Sequence, residues 1–322
     1  MTAPYKYSLS ECDVINKTLL ESFRCKRQTW VDWSEDDIVH GLWRQLTSMV
    51  WAEVSFKALV KAAIDNRASP VNNTLLAEAL IDGYVARQVL SIRRLVDPTK
   101  GNISIRRILQ QLRSYHSFFT RENYVCFDGL PYDYNQIHSR QLEALAVSES
   151  IWRETEGPEA WTSSERAHEQ FDRLSNSDGK NRNRDDHLPI TLIDTLDSWL
   201  KNSGALEIAS WSHVYLAHAG NRDARTKIAD FELHGDSISL TIKSLARILE
   251  AISAYLLYSG GRSGSLMPQA QFDVFEHLEK PILGRDEIKL AQIYWQNLAD
   301  ERDGYLREVI DQLTNPKTTD KI

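Results

Sequence analysis

The sequence predicts an all-α fold, a helical bundle with long polar loops and an appended C-terminal helix, on three observations. Several segments carry apolar residues at spacings of three, four and seven, the repeat of a helix with one buried face. Alternation of apolar and polar residues never lasts more than a handful of positions, and only residues 124–134 look β-prone. Apolar residues make up 42% and charged residues 26% of the 322 positions, an ordinary globular composition with enough chain to bury a core.

Taken in order, residues 1–33 mix polar side chains with Trp30 and Trp33 and read as an irregular arm or one short helix. Ser34 caps a first long helix, with Glu35, Asp36 and Asp37 in the turn where the helix dipole favours acids. Its stripe of Ile38, Leu42, Leu46, Met49, Phe56, Val60 and Ile64 runs to about residue 65, and Pro70 lies in the break that follows. A second helix begins at the Thr74 cap and ends at Asp97, where Pro98 forces the preceding residue out of helical space. Helix resumes from Ser104 to about Phe119 through Ile105, Ile108, Leu109 and Leu112, and the short connection makes the pair antiparallel.

Residues 120–136 read as an ordered aromatic loop with room for a small hairpin, since Tyr124, Val125, Cys126 and Phe127 are β-prone and Asp128 with Gly129 is a turn pair. Helices are expected over 139–155 and 163–174. Residues 176–186 are the most polar stretch of the chain and read as a mobile loop. Pro189 opens a helix that stops at Ser203 and Gly204, and residues 237–258 form the last core helix. The glycine-rich run 259–265 lacks the Lys-Ser/Thr ending of a phosphate-binding loop and reads as a linker. An amphipathic helix over 287–314 closes the chain. The expected organisation is an arm at 1–33, a bundle at 34–258 with a loop region inserted at 120–186, and a linker and helix at 259–322.

The net charge of −7 argues against a surface that coats nucleic acid throughout, because such binding requires neutralised phosphates. One segment departs from the average. Between Arg87 and Arg113 seven basic residues face one acid, Asp97, so Arg87, Arg93, Arg94, Arg106 and Arg107 are the candidate RNA-binding residues, although such a run also suits a solvated helix face. Cys12, Cys25 and Cys126 show no paired spacing, which supports neither a zinc knuckle nor a disulfide framework. No apolar run approaches the roughly eighteen residues of a membrane span, and the N-terminus has no secretory signal pattern, so a cytoplasmic protein without membrane contact is expected.

Chemistry concentrates in residues 209–225. His213 and His218 lie five apart, which on an α-helix leaves them about 140° from each other and unable to share a face as metal ligands do. The plainer reading puts Trp211, Val214 and Leu216 in the core, makes His218 a satisfied buried or half-buried histidine and ends the helix at Gly220 and Asn221.

Three segments in order carry a family resemblance: a helix ending in Arg93, Arg94, Leu95, Val96 and Asp97; a partner opened by Ile103, Ser104 and Ile105; and a later helix ending in Tyr215, Leu216, Ala217, His218 and Ala219. Over roughly residues 40–258 the chain resembles the HEPN superfamily of α-helical bundles, and within it the bacterial abortive-infection U type. The resemblance implies a homodimer whose motif helices meet and cut RNA with no metal and no cofactor, in a toxin or phage-defence setting where an antitoxin or defence-system protein is a further expected partner. His218 matches the family histidine. The family arginine is expected five to seven residues earlier, where this chain has His213, Ser212 and Trp211, so protonated His213 or the downstream Arg222 or Arg225 would have to supply the charge. Two functions follow: a metal-independent endoribonuclease using His218 with His213 or Arg222, or a non-catalytic bundle that binds RNA, a nucleotide or a protein.

Overall fold

The computed structural model describes residues 5–145, 154–228, 231–260, 266–267, 270–274, 276–278 and 280–304. Among these residues twelve α-helices occur and no strand forms, only one isolated bridge between Thr120 and His187. The all-α expectation holds.

Cys12, Val14, Leu20, Phe23 and Trp30 belong to the core, so the described part of the expected arm, from residue 5 on, is packed into the bundle. Asn16 caps α1 (Lys17–Val31) by accepting from the Leu19 N–H, and the helix buries Leu20, Phe23 and Trp30. Trp30 stacks on Phe119 at 5.9 Å and 10°, and Phe23 meets the same ring edge-on at 5.4 Å. Of the two readings of this stretch, the short helix is the one that forms, and Arg24 and Arg27 are buried with its apolar residues because each spends its guanidinium on a backbone carbonyl: Arg24 on Phe127 and Arg27 on Leu257.

The predicted Ser34 cap is not a cap. Residues Asp32–Asp36 form a wide turn in which the Asp37 N–H bonds to the Asp32 carbonyl, and Ser34 is buried within it. The Asp37 carboxylate then takes the N–H groups of Val39 and His40, which stops helical propagation. Thus the N-cap of α2 (Leu42–Asp65) falls seven residues late, at Gly41, where a Cβ would meet the Asp37 carbonyl oxygen at 2.7 Å. Its partner α3 (Thr74–Leu95) is capped by Asn73, one residue before the expected Thr74, and Phe56 of α2 stacks on Tyr84 of α3 at 4.0 Å. Ser104, where helix was expected to resume, caps α4 (Ile105–Ser114), which is shorter than predicted and gives way to a tight turn at His116–Phe118.

Instead of a hairpin, the β-prone run forms the short helix α5 (Arg121–Cys126), capped by Thr120 and buried at all six positions. Burial at every position, of Arg121, Glu122 and Asn123 as well as of Tyr124, Val125 and Cys126, leaves no apolar period to tell helix from strand. Two further helices follow, α6 (Tyr134–Leu145) and α7 (Trp161–Ser175); the expected continuation of α6 through 146–153 lies outside the described residues. The polar segment after α7 is pinned rather than loose. Arg182 pairs with Asp172 at 2.7 Å, Arg184 with Asp13 at 2.9 Å, and Asp186 with Arg121 at 3.0 Å.

The chain continues through α8 (Thr191–Lys201), α9 (Ala205–Ser212), α10 (Arg222–Thr226), α11 (Gly235–Glu250) and α12 (Arg285–Gly304). Helix α11 touches α2, α3, α4 and α8, so its face of Ile238, Ile242, Leu245 and Leu249 is the centre of one continuous apolar core. That core also takes in Cys12 and Val14 ahead of α1 and Ala167 and Phe171 of α7, so among the described residues neither the N-terminal segment nor the 120–186 region stands apart from the bundle. By contrast α12 is exposed along nearly all of its described length, and the expected stretch 305–314 lies outside the described residues. No helix among the described residues is long and apolar enough to cross a membrane.

Candidate RNA-binding cleft

Helix α9 packs most extensively on α3, and after Ser212 it widens into a turn over His213–Ala217. There the His218 N–H bonds to the His213 carbonyl at 3.1 Å, a step of five residues in place of four. One extra residue per turn brings positions five apart nearly into line. The two imidazoles therefore meet edge to face, with centroids 4.5 Å apart and planes at 71°, instead of pointing about 140° apart as an α-helix would hold them. Both are exposed, which overturns the reading of His218 as a buried core histidine.

The chain leaves this turn through an extended His218 (φ −137°, ψ 142°) and folds back at Gly220, whose N–H reaches the Val214 carbonyl at 3.0 Å. A Cβ at Gly220 would sit 2.6 Å from the Val214 side chain, so glycine permits the close return. On the neighbouring face Trp211 stacks on Tyr215 at 5.0 Å.

A cleft of about 520 Å³ opens between the C-terminal end of α3, the turn into α4, α9 and the segment after α10. Arg93, Asp97, Arg106, Ala209, His213 and Lys227 are among its lining residues. Arg93 is in the last turn of α3, where the helix dipole favours a cation. Arg106 is in the first turn of α4, where the dipole opposes one, and that turn contains no acid. The lone acid is committed to the turn. Hydrogen bonds from the Thr99 side chain, from its N–H at 2.8 Å and from Asn102 at 2.9 Å hold the Asp97 carboxyl below its usual value, and its carbonyl accepts from the Ser104 hydroxyl. Three cations and one engaged carboxylate leave the cleft positive in a chain that is negative overall.

Of the residues singled out in the sequence, the structure brings His213, Arg93 and Arg106 into one lining, with the His218 ring against His213 but itself outside that lining. It does not bring the others. Arg87 reaches across to the Ser48 hydroxyl of α2 at 2.7 Å, and Arg107 donates to Gln110 at 2.9 Å along its own helix. Arg94 is exposed outside the lining, and Arg222, the first residue of α10, is exposed outside it as well. Lys227 was missed; it lies two residues beyond Arg225 and extends the same basic spacing, which was the available signal. No protein-family model, curated protein or solved structure matches the chain. Among the described residues no three His, Cys, Asp or Glu side chains gather as they would to hold a metal ion.

Proposed function

We propose that this cleft binds the sugar–phosphate backbone of RNA and that His213 and His218 cleave it. The observation that carries the reading is the wide turn that sets two exposed imidazoles 4.5 Å apart, one of them, His213, in the lining of a cationic cleft. In the reaction a neutral imidazole accepts the proton of a ribose 2′-hydroxyl as its oxygen attacks the adjacent phosphorus. The protonated partner gives a proton to the departing 5′ oxygen, leaving a 2′,3′-cyclic phosphate and a 5′-hydroxyl. Arg93, Arg106 and Lys227 offset the charge that builds on the phosphate oxygens. Arg106 supports this role further, since an anion beside it relieves its unfavourable place at a helix start.

The HEPN-like order of segments supports the same reading and adds a homodimer, with two-fold symmetry setting two such sites against one seam, and an antitoxin or defence-system partner. The second reading, a bundle that binds RNA without cutting it, is favoured by one specific feature: the family arginine is replaced at all three of its possible positions, by Trp211, Ser212 and His213. Binding and cleavage measured on one labelled RNA in EDTA, for the parent, His218→Ala and Arg93→Gln, test both. Cleavage by the parent and by neither variant, with binding weakened in Arg93→Gln alone, supports the nuclease. Binding without cleavage supports the second reading, and no binding by the parent overturns both.

A further inference from the structure

A separate cavity of about 390 Å³ opens where the N-terminal segment crosses the end of α5 and the start of α7, and it shares no lining residue with the RNA cleft. Tyr7, Val125, Phe127, Leu130 and Tyr258 give it largely apolar walls, and α7 contributes the exposed Arg166.

Three left-handed backbone positions shape these walls. Gly129 (φ +84°) and Gly157 (φ +82°) let the Tyr7 ring lie against the chain: a Cβ at Gly129 would sit 2.5 Å from that ring, and one at Gly157 would overlap its hydroxyl. The third is Tyr258 (φ 48°), a conformation that a bulky residue adopts only when its surroundings impose it. Here Arg27 imposes it, since its buried guanidinium donates to the carbonyls of Leu257 at 2.8 Å and of Tyr258 at 3.2 Å. Backbone held in a sparsely populated region concentrates at functional sites, and this instance places an aromatic side chain in a cavity wall.

The charges around the cavity leave one cation over. Lys6 pairs with Glu156 at 2.9 Å, and the Asp128 carboxylate takes the Tyr7 N–H at 3.0 Å and faces Arg24 at 3.8 Å. Arg166 has no ion pair and no hydrogen bond among the described residues. The Tyr258 hydroxyl is a second uncommitted donor: it too has no hydrogen bond among those residues and, unlike the Tyr84 hydroxyl, it is not sealed from solvent. Burial raises its pKa while the Arg166 charge pulls the other way, so the phenol keeps its proton and the guanidinium is its electrostatic neighbour.

We propose that this cavity binds a small organic monoanion with an apolar body, the chemistry of an aromatic carboxylate. The carboxylate lies against the Arg166 guanidinium and accepts from the Tyr258 hydroxyl, while the ring packs among Tyr7, Val125, Phe127 and Leu130. A phosphate dianion is disfavoured, because the other lining cation, Lys6, is already paired and the carboxylates of Asp128 and Glu156 stand in the same walls. A neutral ligand would leave Arg166 without a counterion. The volume is at the small end of ligand-binding pockets and suits an acid of one or two rings.

Calorimetric titration of the full chain with benzoate, phenylacetate and indole-3-acetate, each beside its neutral amide, and with inorganic phosphate, tests the proposal. At least one acid is expected to bind saturably at one site, about tenfold or more tighter than its amide. Arg166→Gln, at an exposed and unpaired position that the fold does not depend on, is expected to erase that difference. Tyr258→Phe keeps the ring, removes the hydroxyl and is expected to weaken the acid severalfold. Arg93→Gln in the RNA cleft is expected to leave its binding unchanged. No saturable binding at millimolar acid, an amide that binds as well as its acid, tighter binding of phosphate, or an affinity that either Arg166→Gln or Tyr258→Phe leaves unmoved would overturn the proposal.

Discussion

Burial of His168 disfavours its charged form and lowers its pKa from 6.5 to about 4, with the backbone bond to Tyr132 opposing the shift only in part. An unfolded chain therefore takes up a proton between these values while the folded one does not. Stability contributed by the neutral ring is complete above pH 6.5 and is lost as pH falls toward 4, to the extent of about 3 kcal/mol. Denaturant titrations at pH 7 and pH 4.5 should show this loss, and His168→Phe should show a shallower one. Arg121 makes a different forecast. Its guanidinium is 1% exposed and bonds Asp172 at 2.7 Å and Asp186 at 3.0 Å above the Phe171 ring. On the Asp172 carboxyl, burial pushes upward, but the hydrogen bonds from Arg121 and Arg182 outweigh it and hold the group below its usual value. Arg121→Met leaves that carboxylate half-paired in the interior and should cost about 3 to 5 kcal/mol in chemical denaturation. A cost under about 1 kcal/mol would show that water reaches Asp172.

At the scale of elements, the helices with a clean stripe and a side-chain cap were legible in the sequence. α4 is the clearest case, with Ser104 accepting from the Arg107 N–H at 3.1 Å and Ile105, Ile108, Leu109 and Leu112 buried. Ser104→Ala removes this cap and the bond to the Asp97 carbonyl together, and should cost about 1 to 2 kcal/mol, read as a lower melting temperature. What was not legible were the wide turns. Reading periodicity assumes about 100° per residue, and the turns at Asp32–Asp36, His213–Ala217 and Ala251–Leu256 each break that assumption by one residue. For the first this displaced a helix start; for the second it separated on paper two histidines that meet in space. Two other features have different causes: α5 is buried at all six positions, polar ones included, and the burial of α1, whose helix was one of the two readings, was obscured by two arginines on its buried face, satisfied by distant carbonyls.

For the whole molecule, the chemistry-bearing residue types were visible in the sequence, and their convergence was not. Arg93, Arg106, His213 and Lys227 come from four different segments, α3, α4, the wide turn after α9 and the stretch after α10, and only the tertiary packing sets them around one cleft. The proposed second copy of the chain predicts a dimer by light scattering at micromolar concentration, with a monomer counting against the symmetric site. The central claim is that the paired imidazoles cut RNA. The most direct test is the end-group analysis of RNA incubated with the protein in EDTA, for the parent and for His218→Ala, with the melting temperature of both proteins measured alongside. The account predicts 2′,3′-cyclic phosphate and 5′-hydroxyl ends from the parent, a loss of about 10² to 10⁴ in rate for His218→Ala, and little change in melting because the side chain is exposed. Intact RNA with the parent, or equal cleavage by the variant, would contradict it.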